Sequence, residues 1–186
     1  MPTNALVNPL VLPILGLLVE QPRHPYGVFS ELRHRYEYLR VRSATIYTLL
    51  NTLSRAGWVE AAEQQDPPVL STTEAGREAL AERVTTGLRS SALSGDTTFM
   101  TALAYIGILG PNEAIDMLQA RLDRIRTEQE RVGDILDQSD ALHLHMIEAH
   151  YYLDRLRNDA AWIENTIGQI EDETLAWPRQ GRDDSH

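Results

Sequence analysis

The chain reads Ser-Ala-Thr-Ile-Tyr-Thr-Leu-Leu-Asn-Thr-Leu-Ser-Arg-Ala-Gly from residue 43 to residue 57, and this stretch decides the fold of the first half. Its apolar residues recur at the i, i+3, i+4, i+7 spacing of an amphipathic helix: Ile46, Leu49, Leu50 and Leu53. Ser43 is a favourable N-cap, and Gly57 is a natural C-terminal stop. The stretch therefore predicts a helix from Ser43 to Gly57 with one buried face.

The opposite face of this helix is small, polar and free of acidic residues. It presents Ala44, Thr48, Asn51 and Arg55, with Thr45 and Tyr47 beside them. A solvated helix usually carries Glu or Asp on its outer face, whereas this surface has nothing that repels a phosphate group. The pattern indicates contact with a nucleic acid.

Two helices are predicted before this one. The first has one apolar face, made of Leu10, Ile14, Leu17 and Leu18, and Pro22 follows its end. The second starts at Pro25, which suits the first turn of a helix, and ends near Tyr38.

Two short strands and a closing helix are predicted after it. Trp58–Glu63 and Val69–Thr72 flank a turn at Asp66-Pro67-Pro68, and Thr73 caps a helix that runs towards Arg89. Three helices, a two-stranded ribbon and a closing helix make a winged helix-turn-helix.

The second half predicts long helices after a polar break at Ser90–Asp96 and a short helix around Phe99–Ile108. Gly110-Pro111 starts the first long helix, whose core positions follow a heptad pattern: Ile115, Leu118, Leu122, Ile125, Gln129, Val132 and Leu136. After Ser139-Asp140 a second pattern follows: Leu142, Met146, Ala149, Leu153, Leu156, Ala160, Ile163, Ile167 and Ile170. Gln129 is either a register-setting polar position or a residue near an edge.

The two apolar stripes can pack against each other as an antiparallel hairpin or against another subunit. We expect dimerisation, because the apolar face is long and the chain offers little else to cover it. The residues expected to carry it are Leu118, Leu122, Ile125, Leu153, Leu156, Ile163 and Ile167. The predicted fold class is mainly α, with a DNA-binding domain at residues 1–90, a helical dimerisation domain at 91–175 and a polar tail at 176–186.

Composition and charge exclude several protein classes. The 186 residues contain no cysteine, which excludes disulfides and thiolate chemistry, and the apolar stretch Pro9–Val19 is too short to cross a membrane. Met1–Asn8 contains no Lys or Arg and predicts no secretory signal, so we expect a cytoplasmic protein. The net charge of −10 lies wholly in residues 91–186, whereas Arg23 to Arg55 carries +4. This cluster indicates either a local polyanion site or a solvated helix surface.

The first half resembles the PadR family of transcriptional regulators, over about residues 10–85. The resemblance rests on motifs that occur in the family's order and approximate spacing: Ile14–Leu18, Tyr26-Gly27, Ser43–Tyr47, Leu49-Leu50, Leu53, Gly57 and Thr73–Arg77. It implies a dimeric repressor, and a response to small aromatic or drug-like molecules that bind between its two domains. Pro25 and Ala44 stand where the family usually has Gly, and the wing tip, Gln64–Pro68, is neither basic nor Gly-containing.

The third helix is predicted to enter the major groove of a palindromic operator. Thr48, Asn51 and Arg55 would face base edges. Phosphates or sugars would be held by the N-terminal amides of Ser43 and Thr45, together with Arg40, Arg42 and Tyr47. Tyr26 resembles the family tyrosine that contacts the DNA backbone. For Tyr26 and Tyr47 the alternative is packing within the domain, with the hydroxyl in solvent.

The remaining aromatic and histidine residues offer a candidate effector site and a candidate metal site. An aromatic pocket would be lined by Phe99, Tyr105, His145, Tyr152 and Trp162, and the alternative is a helix flank packed on its neighbours. His143 and His150 lie seven residues apart, too far to bind one ion, so no metal and no cofactor are expected.

The competing functions are an enzyme and a protein-binding adaptor. The sequence contains no phosphate loop, nucleophile elbow or metalloprotease motif, so catalysis is not expected. An adaptor whose helix-turn-helix has lost DNA affinity is the alternative that the acidic net charge and the neutral wing leave open.

Overall fold

The structure, a computed structural model, describes residues 5–39, 41–62, 68–94 and 96–178. Helices dominate it: α1 Val11–Glu20, α2 Pro25–Arg35, α3 Ser43–Arg55, α4 Glu74–Ser90, α5 Thr98–Leu103, α6 Pro111–Asp137 and α7 Ile147–Glu171. Within the described residues the strands β1 Val59–Ala61 and β2 Leu70–Thr72 form one antiparallel pair, with Val59 opposite Thr72. The predicted mainly helical fold with an N-terminal winged helix-turn-helix is confirmed.

The chain forms two compact units, and it passes between them three times. The first unit comprises Met1–Gly87 and Thr97–Ile108, and the second comprises Leu88–Asp96 and Leu109–His186. This division differs from the single predicted boundary at residue 90, because a segment beyond that boundary returns to the first unit.

The core of the first unit is built on α1, whose residues from Val11 to Leu18 are all buried. The buried face of α3 is the predicted one, and Gly57 ends the helix with a φ of +74° that favours glycine. The prediction of Ser43 as the N-cap is wrong by one residue. Arg42 is the N-cap, because its extended backbone places its carbonyl where the amides of Thr45 and Ile46 donate to it.

The second helix also ends earlier than predicted, at Arg35 and not near Tyr38. Tyr36 leaves the helix and turns into the core, where its hydroxyl donates to the Tyr105 hydroxyl at 2.7 Å. The Tyr105 ring lies directly on Gly16 of α1, where any larger side chain would collide with it. This packing explains why the segment 97–108 belongs to the first unit.

The strands are shorter than predicted, and residues 64–67 of the predicted wing tip, Gln64–Pro68, lie outside the described residues. Backbone hydrogen bonds also join Arg23 to Leu70 in both directions, so the chain before α2 extends the pair. The predicted cap of α4 is confirmed, because the Thr73 hydroxyl accepts the amide hydrogen of Gly76 at 3.2 Å.

The second unit is an antiparallel hairpin of α6 and α7, which pack along their length. The seven residues expected to carry dimerisation, Leu118, Leu122, Ile125, Leu153, Leu156, Ile163 and Ile167, are all buried within the single chain. Leu142 is 72% exposed, so its prediction as a core position is wrong. The residues before Ile147 form a turn and a 3₁₀ helix, His143–Met146, which breaks the heptad phase.

No helix within the described residues combines the length and the apolar character that crossing a membrane requires.

Candidate nucleic-acid interface

The outer face of α3 is the surface that the sequence predicted. Tyr47, Thr48, Asn51 and Arg55 are exposed, whereas Thr45 is half-buried at the side of the helix. The opposite face holds the helix to the first unit through its four buried aliphatic residues. The polar side chains are thus presented on a helix whose position is fixed by the core.

Thr48 has a hydrogen-bonding pattern that sequence reasoning did not specify. Its hydroxyl donates to the Ala44 carbonyl at 2.9 Å, as the Thr52 hydroxyl does to the Thr48 carbonyl. A threonine bonded to its own helix offers its methyl group and the oxygen lone pairs to a neighbour. In a major groove these groups suit a thymine methyl or an amino group of adenine or cytosine.

The N-terminus of α3 can hold a phosphate. Arg42 and Ser43 are exposed there, and the first turn contains no acidic residue. The first amides of a helix lie at the positive end of its dipole, where they can bind an anion. The amide of Thr45, one of the predicted phosphate ligands, already donates to the Arg42 carbonyl at 3.1 Å. Arg40, the other predicted phosphate ligand, lies outside the described residues.

Ion pairs divide the arginines of the local positive cluster into two groups. Arg35 binds Glu20 and Glu31 at 2.6 Å each, and Arg23 lies within 4.0 Å of the same two carboxylates. The hydrogen bond from Arg35 lowers the pKa of the Glu31 carboxyl, so these charges neutralise one another at neutral pH. In the part of the chain that the structure describes, Arg33, Arg42 and Arg55 have no carboxylate at ion-pair distance.

Arg33 is a candidate contact that sequence reasoning missed. Tyr26, 69% exposed, stands at the start of α2, with its ring 6.3 Å from that of Phe29. The Arg33 guanidinium lies over the Phe29 ring, 5.7 Å from the ring centre. The i, i+4 spacing of Phe29 and Arg33 could have revealed the pair in the sequence. Tyr26 and Arg33 together give α2 a phenol and a cation on its surface.

The base of the wing is attached to the start of α2. A ring nitrogen of His24 lies 3.2 Å from the carbonyl oxygen of Pro68, within hydrogen-bond distance. Of the predicted wing tip, Gln64–Pro68, only Pro68 lies within the described residues.

The five residues of the predicted aromatic pocket are divided between the two units. Phe99 and Tyr105 belong to the first, where Tyr105 is buried. His145, Tyr152 and Trp162 belong to the second, where Tyr152 is half-buried and the other two are exposed. Among the described residues, no group of three or more His, Asp or Glu side chains is placed to hold a metal ion.

Residues 14–82 match the family model of the PadR-like transcriptional regulators, from α1 into α4. This part of the chain is a PadR-like domain. The match includes every residue of the described interface from Tyr26 to Arg55, and it ends before α6 and α7. No curated protein sequence matches the chain.

Several solved structures are similar to most of the chain at low identity. Bacillus subtilis PadR in complex with operator DNA is 19% identical, with a TM-score of 0.40 over 88% of this chain and 99% of that one. The same protein in complex with p-coumaric acid is 18% identical, with a TM-score of 0.40 over 88% and 96%. The Vibrio cholerae virulence activator AphA is 21% identical, with a TM-score of 0.39 over 89% and 96%. These ligands are those of the other proteins.

Proposed function

We propose that this PadR-like protein is a sequence-specific transcriptional repressor that binds a palindromic operator as a dimer. The observation that carries the proposal is the exposed, acid-free outer face of α3, with Arg42 and Arg55 at its two ends and no ion pair to either among the described residues. The alternative, an adaptor without DNA affinity, gives no reason for α3 to expose Asn51 and Arg55 on such a face.

Base recognition is assigned to Asn51 and Arg55. Asn can bond the N6 and N7 edge of adenine, and Arg can bond the O6 and N7 edge of guanine. The two residues lie four positions apart, which is about 6 Å along a helix axis and about two base-pair steps. We therefore expect an adenine and a guanine contact separated by about two base pairs in each half-site.

Phosphate contacts are assigned to both ends of the helix-turn-helix. Arg42 and the amides at the start of α3 would hold one phosphate, and Tyr26 and Arg33 of α2 would reach another. Such contacts set the register of α3 in the groove but carry no sequence information. Two copies related by a two-fold axis would place their α3 helices about 34 Å apart, or a multiple of that distance. Release of the operator by a small aromatic molecule is a further part of this proposal.

The test begins with a duplex selected from a random pool by the full-length protein. Asn51→Ala and Arg55→Ala should each lose about 1–3 kcal/mol of preference at one base pair per half-site. Arg42→Ala should weaken binding to every sequence and, with two copies bound, reduce the slope of log affinity against log salt by about 2. Fluorescence anisotropy at several salt concentrations measures both effects.

The matched control is Arg157→Ala, which removes the same charge from an exposed position of α7. It should leave base preference and salt slope unchanged. If Asn51→Ala and Arg55→Ala bind the selected duplex as the wild type does, α3 is not the recognition helix. If the protein gives no salt-sensitive shift with any duplex, the adaptor is the better explanation.

A further inference from the structure

A groove lies at the end of the hairpin where α6 begins and α7 ends. Its volume is about 840 Å³, which is within the usual range of small-molecule sites. Every residue that lines it belongs to the second unit, between Pro111 and Trp177. The groove therefore shares no residue with the aromatic pocket predicted from the sequence.

The segment that follows α7 forms one wall of the groove. The chain turns back after the helix, and the amide of Leu175 donates to the Gln169 carbonyl at 3.0 Å. The indole nitrogen of Trp177 then donates to the Leu109 carbonyl at 2.8 Å, just before α6. These two bonds hold Leu175 and Trp177 along the groove that Ile115 of α6 also lines. The groove thus has an apolar wall that includes an aromatic ring.

The groove also has a negative charge. Asp116, Glu171 and Glu173 line it, whereas no basic residue in the described part of the chain does. Among the residues that the structure describes, these three carboxylates form no ion pair. The positive end of the α6 dipole and the negative end of the α7 dipole lie at the same end of the hairpin, so the two largely cancel. The carboxylates therefore determine the sign of the charge.

Glu173 has a backbone conformation that normally favours glycine. Its φ is +56°, in the left-handed region, and it follows Asp172, the C-cap of α7. Glycine is the usual residue at this position of a helix end, because a side chain makes the conformation less stable. Residues in such conformations often occur at binding sites. Helix termination alone therefore does not account for a glutamate here.

We propose that the groove binds an organic cation with an aromatic or other apolar body. An apolar wall beside carboxylates without ion pairs is complementary to such a ligand, and the Trp177 ring can add cation–π attraction. The same carboxylates repel an organic anion. A metal ion is a poorer occupant, because no three acidic or histidine side chains among the described residues are placed to hold one.

Binding of this cation requires neither DNA nor a second copy of the chain, so it can fail while the proposed function stands. Tetraphenylphosphonium and tetraphenylborate are suitable probes, because the two ions have nearly the same size and shape but opposite charge. Isothermal titration calorimetry of the full-length protein without DNA should show saturable binding of the phosphonium. Its dissociation constant should be at least about tenfold lower than that of the borate and should rise with salt concentration.

Two substitutions test the contribution of the carboxylates. Asp116→Asn together with Glu171→Gln should raise the dissociation constant of tetraphenylphosphonium at least about tenfold, because two of the three charges are lost. The matched control is Asp134→Asn, at an exposed position near the other end of α6. It should change the dissociation constant less than about twofold, because the charge lies well beyond the screening length from the groove.

Glu173→Gly should have opposite effects on binding and on stability. It removes a carboxylate, so the dissociation constant of tetraphenylphosphonium should rise about threefold or more. It also relieves the left-handed backbone, so the unfolding midpoint without the probe should rise by about 2 °C. Glu173→Gln should weaken binding to the same extent and leave the midpoint unchanged.

Absence of saturable tetraphenylphosphonium binding would overturn the proposal, as would equal affinities for the two probes. Wild-type affinity in both the double variant and Glu173→Gln would also overturn it, because the carboxylates would then play no part in binding. Duplex binding by the same wild-type protein tests the proposed function separately.

Discussion

Two tyrosine hydroxyls form a directed chain of hydrogen bonds in the core of the first unit. Tyr36 donates to Tyr105 at 2.7 Å, and Tyr105 donates to the Pro13 carbonyl at 3.4 Å. Burial raises the pKa of both phenols, so both stay protonated at neutral pH and each keeps a hydrogen to donate. Tyr105 is the central member, because it both accepts and donates.

This direction predicts unequal effects for two similar substitutions. Tyr105→Phe leaves the buried Tyr36 hydroxyl without its acceptor and should lower the free energy of unfolding by about 1–3 kcal/mol. Tyr36→Phe leaves the bond from Tyr105 to Pro13 in place and should cost about 0.5–1.5 kcal/mol. Urea unfolding measures both. A larger loss for Tyr36→Phe would contradict the assigned direction.

Structural roles that depend on nearby residues could be predicted from the sequence, whereas roles that depend on residues distant in the sequence could not. The cap at Thr73 and the stop at Gly57 depend on neighbours within a few residues, so their side chains and spacing reveal them. The role of Gly16 depends on a tyrosine 89 positions further along the chain, and nothing near Gly16 indicates it. The end of α2 at Arg35 was missed for the same reason, because Tyr36 leaves the helix to bond Tyr105, which is distant in the sequence.

At the scale of elements, α6 fixes the segment that follows α4. The buried Arg121 guanidinium donates to the Ser91 hydroxyl at 2.9 Å and to the carbonyls of Ser91 and Ala92. Arg124 donates to the carbonyls of Arg89 and Ser91. Burial lowers the pKa of Arg121, but its ordinary value is high enough that the group keeps its charge. The two terminal nitrogens of Arg121 thus bond the backbone carbonyls of Ser91 and Ala92 and the Ser91 hydroxyl, all within the second unit.

Removing these two arginines should have different costs. Arg121→Met leaves the buried Ser91 hydroxyl without the donor that Arg121 supplies, and should reduce the stability of the second unit by about 1–3 kcal/mol. Arg124→Met should cost less than about 1 kcal/mol, because Arg121 still serves the Ser91 carbonyl and Arg89 is exposed. Thermal unfolding followed by circular dichroism compares them. If both variants lose the same amount of stability, burial does not make Arg121 contribute more to stability than Arg124.

The heptad pattern predicted which faces of α6 and α7 are buried but not what buries them. A repeat of apolar positions specifies the face of a helix that is buried. A helix of the same chain or of another chain can cover this face equally well. The nine-residue connection between α6 and α7 is what allows the hairpin to close, and the periodicity contains no information about it. The polar face of α3 was easier to predict, because its exposure follows from the buried face of one helix.

For the whole molecule, the charge distribution favours one mode of approach to DNA. The negative charge lies in residues 91–186, whereas α2 and α3 carry arginines without ion pairs in the described residues. The arginines of α2 and α3 attract DNA, whereas the excess negative charge of residues 91–186 repels it and disfavours non-specific binding through that half of the chain. We therefore expect α3 to be inserted into the major groove.

Methylation protection of the selected operator by dimethyl sulfate tests this claim most directly, because the reagent modifies N7 of guanine in the major groove. The bound protein should protect one guanine in each half-site, with the two sites about 10 base pairs or a multiple apart, and Arg55→Ala should abolish that protection at saturating protein. Full reactivity of every guanine under the bound wild type, or protection that persists in Arg55→Ala, would contradict the placement of α3.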